Sequence, residues 1–267
     1  MIQVAIHGAS GRMGQRLCAL TLEDPRLDLL EAIDGPGRFA PGSAAVAGSP
    51  VLLTDRLSAS PDVVIDFSVP GATRQAIAHC RAEKLPLIIG TTGLTPEDDQ
   101  AITQAGADIP ILWASNFSRV VNVLNHLAAL ATTLLGDDYD LEILEAHHRF
   151  KKDAPSGTAI TLAKTLAQAA GRSFEKDVVF CRHGDDVPRK PTDITVQTLR
   201  LGDHVGEHTA YFAAMGERLE IKHVSTNRDS YVRGALHAGA WLVSQPAGRY
   251  TMNDVLGLGK VAAGSGT

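Results

Sequence analysis

Apolar positions in the first 117 residues fall into short runs at regular spacing. Ile2, Val4 and Ile6 alternate with polar or small residues, the period-two pattern of a strand. Leu27 to Ile33, Val63 to Phe67, Leu85 to Ile89 and Ile109 to Trp113 are further strand-length runs, with Val51 to Leu53 a shorter candidate. The β-branched Val63-Val-Ile core is typical of a strand buried on both faces. Helix-period stretches lie between these runs. One follows a glycine turn and reaches about Leu22, one starts over Ser68 to Gly71 and reaches about Glu83, and one is opened by Thr95-Pro96, an N-cap with proline at N1. Residues 39–48, rich in Gly, Ala and Pro, read as a loop. Alternating strands and helices of this length specify a parallel sheet.

The pattern changes after Phe117. Val120 to Leu135 is a long apolar helix, Leu141 to Ala146 a strand, and Ser156 opens a helix that reaches about Ala170. Strand-like runs then dominate: Val178 to Cys181, Ile194 to Leu201, His208 to Ala214 and Leu219 to Ser225, parted by turn residues such as Gly202-Asp203 and Gly216-Glu217. Ser230 to Val243 is helical again, Val255 to Leu258 is a short last element, and the small, polar stretch 260–267 is expected to be disordered. The expected fold class is therefore α/β: a Rossmann-like doubly wound parallel sheet plus a second α+β domain, whose mostly antiparallel sheet packs on two helices. The expected division is 1–117 for dinucleotide binding, 118–228 for substrate binding and oligomerisation, and 229–267 as a return to the first domain.

Composition narrows the function without choosing it. A chain of 267 residues with 44% hydrophobic and 21% charged residues is ordinary for a soluble protein of about two domains, at ~150 residues each. A net charge of −5 offers no nucleic-acid footprint. No apolar run approaches the ~20 residues of a membrane span, and the first residues lack a signal peptide's basic and apolar regions. Cys18, Cys80 and Cys181 are odd in number and far apart, so neither a zinc ribbon nor a disulfide framework is indicated. A reducing, cytoplasmic setting is expected. His183, His204, His208 and His223 lack metal-ligand spacing, and no metal is expected; Arg228 and Arg233 read as surface or interface charges.

Two stretches carry candidate chemistry. The first is Gly8-Ala9-Ser10-Gly11-Arg12-Met13-Gly14, between the first strand and its helix. That context suits a dinucleotide fingerprint, in which glycines permit a tight turn, the approach of a pyrophosphate and close helix–strand packing. An ordinary βα turn is the rival reading. Asp34, about 20 residues on, stands where an acid can accept bonds from the ribose hydroxyls. Gly35 follows it rather than Arg or Lys, which favours NADH; Arg12 and Arg38 leave NADPH open. The loops Gly90-Thr91-Thr92-Gly93 and Ala114-Ser115-Asn116-Phe117 end strands, where ligands of such sheets bind.

The second stretch is Glu145-Ala-His-His-Arg-Phe-Lys-Lys-Asp-Ala-Pro-Ser-Gly-Thr-Ala159. His147 and His148 are adjacent on extended backbone, so they face opposite ways and divide the work. Ser156 caps a helix whose first N–H groups and dipole make an anion site. A carboxylate or phosphate can rest on Gly157 and Thr158, with Lys151 and one histidine beside it. The other histidine, or Lys151 itself, is then the candidate to move a proton.

These residues resemble the dihydrodipicolinate reductase family of the diaminopimelate and lysine pathway. Gly8 to Gly14, Gly90 to Gly93, Ala114 to Phe117, the Glu145 to Thr158 run and Gly202-Asp-His-Val-Gly-Glu-His208 fall in family order over nearly the whole chain. The resemblance implies a nicotinamide coenzyme on residues 8 to 13, Asp34, Gly90 to Thr92 and Ala114 to Phe117. It implies a cyclic imine with two carboxylates as substrate, reduced by hydride transfer to ring C4 with loss of the 4-hydroxyl as water. By the same resemblance His147 is the catalytic histidine and Lys151 the proton donor, preferred over Lys152 on motif register. His148, Gly157 and Thr158 become carboxylate contacts. A homotetramer built through the second-domain sheets, closing by a hinge, is implied as well. Val120 stands where the family typically has glycine.

Two rivals remain at this stage. Another imine or amino-acid dehydrogenase, of the aspartate-dehydrogenase kind, would not need the double anion site. A non-catalytic NAD-sensing protein would have no use for His147 beside Lys151.

Overall fold

The structure is a computed structural model that describes residues 1–259. The stretch 260–267, expected to be disordered, lies outside the described residues, as does the end of the 229–267 segment. The elements in chain order are β1 (Ile2–His7), α1 (Arg12–Glu23), β2 (Leu27–Ile33), β3 (Leu53–Thr54), β4 (Val63–Asp66), α2 (Pro70–Glu83), β5 (Leu87–Ile89), α3 (Pro96–Ala105), β6 (Pro110–Trp113) and α4 (Arg119–Leu135). There follow β7 (Asp140–His147), α5 (Gly157–Ala169), α6 (Phe174–Asp177), β8 (Val178–Phe180), β9 (Ile194–Arg200), β10 (Gly206–Ala214), β11 (Glu217–Ser225), α7 (Asp229–Leu242), β12 (Gly248–Tyr250) and α8 (Met252–Val255). The chain divides into two compact units, Met1–Arg119 with Asp229–Gly257, and a second containing Val120–Arg228. Among the described residues no helix is long and apolar enough to cross a membrane.

The first unit is a seven-stranded sheet of order β12-β6-β5-β4-β1-β2-β3, parallel throughout. The order reverses between β1 and β4, the switch point where such sheets leave a crevice at their carboxyl ends. One core packs α1 and α7 on one face through Leu17, Leu20, Val232 and Leu236. A second core packs α2 and α3 on the other through Ile77, Cys80 and Ile102.

Local signals explain the element ends. Thr95 caps α3 by accepting from the Asp98 N–H, while Asp98 accepts in return from the Thr95 N–H. This reciprocal box satisfies two of the donors that a helix start leaves open. Helix α2 stops at Lys84, at φ 57°, where the Leu85 N–H bonds back to the Cys80 carbonyl. The run expected as a strand from Leu85 therefore pairs only from Leu87. Helix α1 begins inside the glycine segment, at Arg12, with Gly11 as its N-cap. Strand β12 had no apolar run to announce it, since its centre is Arg249.

The second unit is a five-stranded sheet of order β11-β10-β7-β9-β8. Its pairing corrects one expectation. Strand β10 runs antiparallel to β7 and β11, but β7 with β9 and β8 with β9 are parallel, so the sheet is mixed rather than mostly antiparallel. The physical reason lies in the connections. Helices α5 and α6 carry the chain from β7 back to the starting end for β8, and residues 181–193 do so again for β9. Crossovers of that length permit parallel neighbours. One face packs on α4 and α5 through Leu124, Ala128, Leu162, Leu166, Ile143, Val196 and Phe212.

Candidate active site

In the first unit the expected coenzyme residues follow the carboxyl ends of β1, β2, β5 and β6. Gly8 has φ +81°, and a Cβ there would sit 2.6 Å from the Phe67 carbonyl oxygen; one on Gly14 would sit 2.1 Å from the Gly8 oxygen. These two glycines are thus required by the turn and by helix–strand contact. Gly11 is exposed and caps α1 without a side chain, and no acidic residue lies in the first turn. The N–H groups that a helix start leaves open, from Arg12 onward, meet no carboxylate of their own helix. Such a mouth suits a pyrophosphate.

Asp34 accepts from the Ser10 N–H (2.9 Å) and Oγ–H (2.5 Å) on Oδ2, and from the Gly35 N–H (2.8 Å) on Oδ1. Burial pushes its pKa up, but these bonds outweigh it and hold the carboxyl below its ordinary range. The carboxylate therefore stays ionised while tying the glycine turn to β2. Three donors occupy a group that can accept about four, leaving room for one hydroxyl. Gly90 lies against the Phe67 ring, where a Cβ would be 2.3 Å from Cζ, and the Phe67 and Phe117 rings are 5.5 Å apart. Thr91 is buried and donates to Asp66, while Thr92 and Ser115 are exposed. Ala9 is buried, Met13, Ala114 and Asn116 are half-buried, and the Asn116 Oδ1 accepts from the Ser118 N–H.

The second unit holds the other expected residues, at the carboxyl end of β7. His147 and Glu145 alternate onto the face that packs on α5. Glu145 is fully buried, and one of its oxygens takes the His147 Nδ1. The other oxygen accepts from Arg200 Nη1 at 2.9 Å and from the Ser156 N–H at 3.2 Å. Burial raises the Glu145 pKa, but the bonds from His147 and Arg200 prevail and keep it below its ordinary value. His148 follows the strand and is half-buried, its ring tilted 6.3 Å from exposed Phe150. Lys151 pairs with Asp153 at 2.9 Å. Ser156 caps α5 by accepting from the Ala159 N–H. Gly157 and Thr158 form the first turn, with open space where a Gly157 side chain would be.

Comparison with known proteins gives the family. Residues 2–117 match the N-terminal part of dihydrodipicolinate reductase and residues 120–256 its C-terminal part. The chain belongs to the dihydrodipicolinate reductase family. It is 44% identical to the 4-hydroxy-tetrahydrodipicolinate reductase of Anaeromyxobacter sp. (strain Fw109-5), covering 97% of this chain and 98% of that one. It is 42% identical to the enzyme of the same name from Hahella chejuensis (strain KCTC 2396), covering 97% and 100%. A dipicolinate-bound dihydrodipicolinate reductase from Paenisporosarcina sp. TG-14 shares the fold, with a TM-score of 0.76 and 24% identity over 94% of this chain and 97% of that one. As a dihydrodipicolinate reductase family member, the chain is an oxidoreductase that works with a pyridine nucleotide.

Several residues around His147 escaped sequence reasoning. Strand pairing sets Thr198, Glu145, His208 and His223 in one row across four strands, and Arg200 opposite His147. The sequence shows His208 only as the first residue of a strand-like run. Its ring lies edge-on to His147 at 5.3 Å and stacks on His223 at 5.9 Å, with Nε2 3.1 Å from Ser156 Oγ. Burial, reinforced by His147 and His223, pushes its pKa down to about 3, so the ring is neutral. The available signal was the Gly-Glu-His208 run, but which of Glu207 and His208 faces inward depends on register. Donor atoms of Glu145, His147 and His208 lie within 4.8 Å of one another. Arg200, Ser156 and His147 already use the Glu145 oxygens, and a guanidinium beside a site opposes a cation.

Proposed function

We propose that the protein reduces 4-hydroxy-tetrahydrodipicolinate to tetrahydrodipicolinate with NAD(P)H, in diaminopimelate and lysine biosynthesis. Relatives of that name, 42–44% identical over nearly their whole length, support the reading. The observation that carries it is the second-unit site, where a buried Glu145–His147 pair, Lys151 and the mouth of α5 belong to one short segment.

The bound reduced nicotinamide supplies hydride to ring C4. Gly8 to Met13 hold its pyrophosphate at the mouth of α1, Asp34 takes a ribose hydroxyl, and Gly90 to Thr92 with Ala114 to Phe117 line the rest. The ionised Asp34 opposes a 2′-phosphate, so NADH is favoured over NADPH. His148, Gly157 and Thr158 bind the substrate carboxylates by charge and N–H donors. Lys151 donates the proton to the ring carbon beside C4, and His147 acts as the catalytic histidine. Before that, the 4-hydroxyl leaves as water with the proton lost from the neighbouring ring carbon, and the carbon–carbon double bond so formed is what the hydride and the Lys151 proton saturate. Residues 1–117 serve as the dinucleotide-binding domain, 118–228 as the substrate-binding and oligomerisation domain, and 229–267 as the return segment.

The enzyme works in the cytoplasm as a homotetramer. Exposed Leu199 and Val224, on the sheet face opposite α4 and α5, supply apolar surface for that assembly. The test is loss of NADH absorbance on adding freshly made product of the preceding synthase. Turnover with that cyclic imine is expected. Turnover only with an oxo acid and ammonia would instead make the protein an amino-acid dehydrogenase, and binding of NADH with no turnover would make it a sensor.

A further inference from the structure

Glu145 is the most deeply buried carboxylate among the described residues of the second unit. It is fully buried, and its two oxygens are used asymmetrically. Oε1 receives Arg200 Nη1 and the Ser156 N–H, and Oε2 receives His147 Nδ1. Neither partner of Oε1 is able to accept a hydrogen bond: a guanidinium and a peptide N–H only donate. Arg200 is held in turn, since Nη1 also donates to the Leu199 carbonyl at 2.7 Å and Nη2 to the Asp153 carbonyl at 2.6 Å. The orientation of the carboxylate is therefore set from behind, and Oε2 has one direction in which to point.

An ionised carboxylate only accepts, so His147 must carry a proton on Nδ1 to bond with it. The atom left to exchange protons is then Nε2. Position 206 lies beside that atom: a Cβ on Gly206 would come 3.0 Å from Nε2 and 3.4 Å from Cδ2. The φ of Gly206 is not in the left-handed region that demands glycine, so what glycine contributes there is space. Neutral His208, edge-on to the ring, does not compete for the carboxylate.

We infer that Glu145, oriented by Arg200 and the first N–H of the Ser156 cap, is a positioning residue that fixes the Nδ1–H tautomer of His147, and that Gly206 keeps Nε2 accessible. The inference rests on the proposed role of His147 as the histidine of the reductase site. Glu145 touches neither reactant and acts through the imidazole. Orienting carboxylates of this kind matter because the wrong tautomer presents a donor where an acceptor is needed, or the reverse.

Glu145→Gln gives a sharp test. Its amide oxygen must face Arg200 and Ser156, because the amide nitrogen there would leave donors opposite donors. The NH2 then points at Nδ1, which must accept, and the proton moves to Nε2. Imidazole 15N shifts of His147, read for the neutral ring at alkaline pH, should show Nδ1–H in the wild type and Nε2–H in Glu145→Gln. The variant's kcat should fall ~10²-fold or more, with KM for the cyclic imine within ~3-fold and NADH binding unchanged. Gly206→Ala should keep the Nδ1–H signature and still lose ~10-fold or more in kcat. A Glu145→Gln enzyme that keeps Nδ1–H, or keeps kcat within ~3-fold of wild type, overturns the positioning role. Should that variant not fold, the wild-type spectrum decides alone, since Nε2–H in the wild type overturns the inference. A Gly206→Ala enzyme of wild-type kcat overturns the access role. Failure of the wild type to reduce the imine would instead strike the proposed function, leaving the tautomer readout standing.

Discussion

Asp66 in the first unit and Glu145 in the second are both fully buried carboxylates, and each is bonded to the Nδ1 of a histidine at the end of a strand. Their other partners differ in kind. Asp66 accepts from the hydroxyls of Ser68 (2.5 Å), Thr73 (2.6 Å) and Thr91 (2.9 Å), besides His7 at 2.8 Å. Those groups come from β1, the start of α2 and the loop after β5, so the carboxylate knots three strand ends together. Hydroxyls rotate to suit their acceptor, and such a knot tolerates adjustment. Glu145 is held by one N–H of the planar Arg200 guanidinium, itself anchored on the Asp153 carbonyl, and by the Ser156 peptide N–H, whose directions are fixed. The same pair of groups is thus a loop fastener in one unit and a pointing device in the other.

Alanine substitutions at the two sites should break or uphold this contrast most clearly. Lys151→Ala and His147→Ala should each cut turnover by ~10³-fold, within the usual range for lost proton transfer, while NADH binding measured by fluorescence titration stays intact. His7→Ala should cost stability instead and leave turnover within ~10-fold of wild type. If His7→Ala loses turnover as deeply as His147→Ala, the two pairs do the same kind of work and the contrast fails.

Acid should separate the units next. The folded-state pKa of His208 is depressed to about 3, with burial as the leading cause, against about 6.5 when unfolded. The unfolded chain therefore binds the extra proton first. Stability is complete above pH 6.5 and is lost progressively as the pH falls towards 3, by on the order of 4 kcal/mol. His223, also depressed by burial, adds to the slope in the same direction. Denaturant melts between pH 7 and 4 should show it, and His208→Asn should flatten it. An unchanged slope in that variant would place the acid sensitivity elsewhere.

Two smaller effects sharpen the first-unit side. Asp66→Ala leaves several buried donors unpaired and should cost about 3 kcal/mol of stability, seen as a lower denaturant midpoint. Intact stability would mean that the hydroxyl knot re-forms without its acceptor. For the coenzyme, kcat/KM should favour NADH over NADPH by ~10-fold, or about 1.4 kcal/mol. A preference for NADPH would show that Arg12 or Arg38 overrides the charge of Asp34.

Most of the fold was legible because its signals are local. Thr95-Pro96 announces α3 through its own cap, and Val63-Val-Ile announces a buried strand by its shape alone. The misses are non-local. The mixed pairing of β7, β8 and β9 depends on crossovers that return to the same end, and β12 joins the sheet by lying beside β6. Within the candidate site, Glu145 to Thr158 stood out because its chemistry is packed into one segment. Arg200, Gly206 and His208 did not, because nothing near them in sequence shows that they face the same imidazole.

The amino-acid order alone determined the strand–helix rhythm, the glycine turn at Gly8 to Gly14, the capped helix at Ser156 and the presence of His147 beside Lys151, since each depends on neighbours a few residues apart. The tertiary structure decided which side of each strand faces α5. A shift of one residue in the pairing of β9 or β10 would send Arg200 or His208 to the opposite face. The aim of Glu145 on His147 is therefore a property of sheet register, because Arg200, which holds that carboxylate, comes from a strand 55 positions away along the chain.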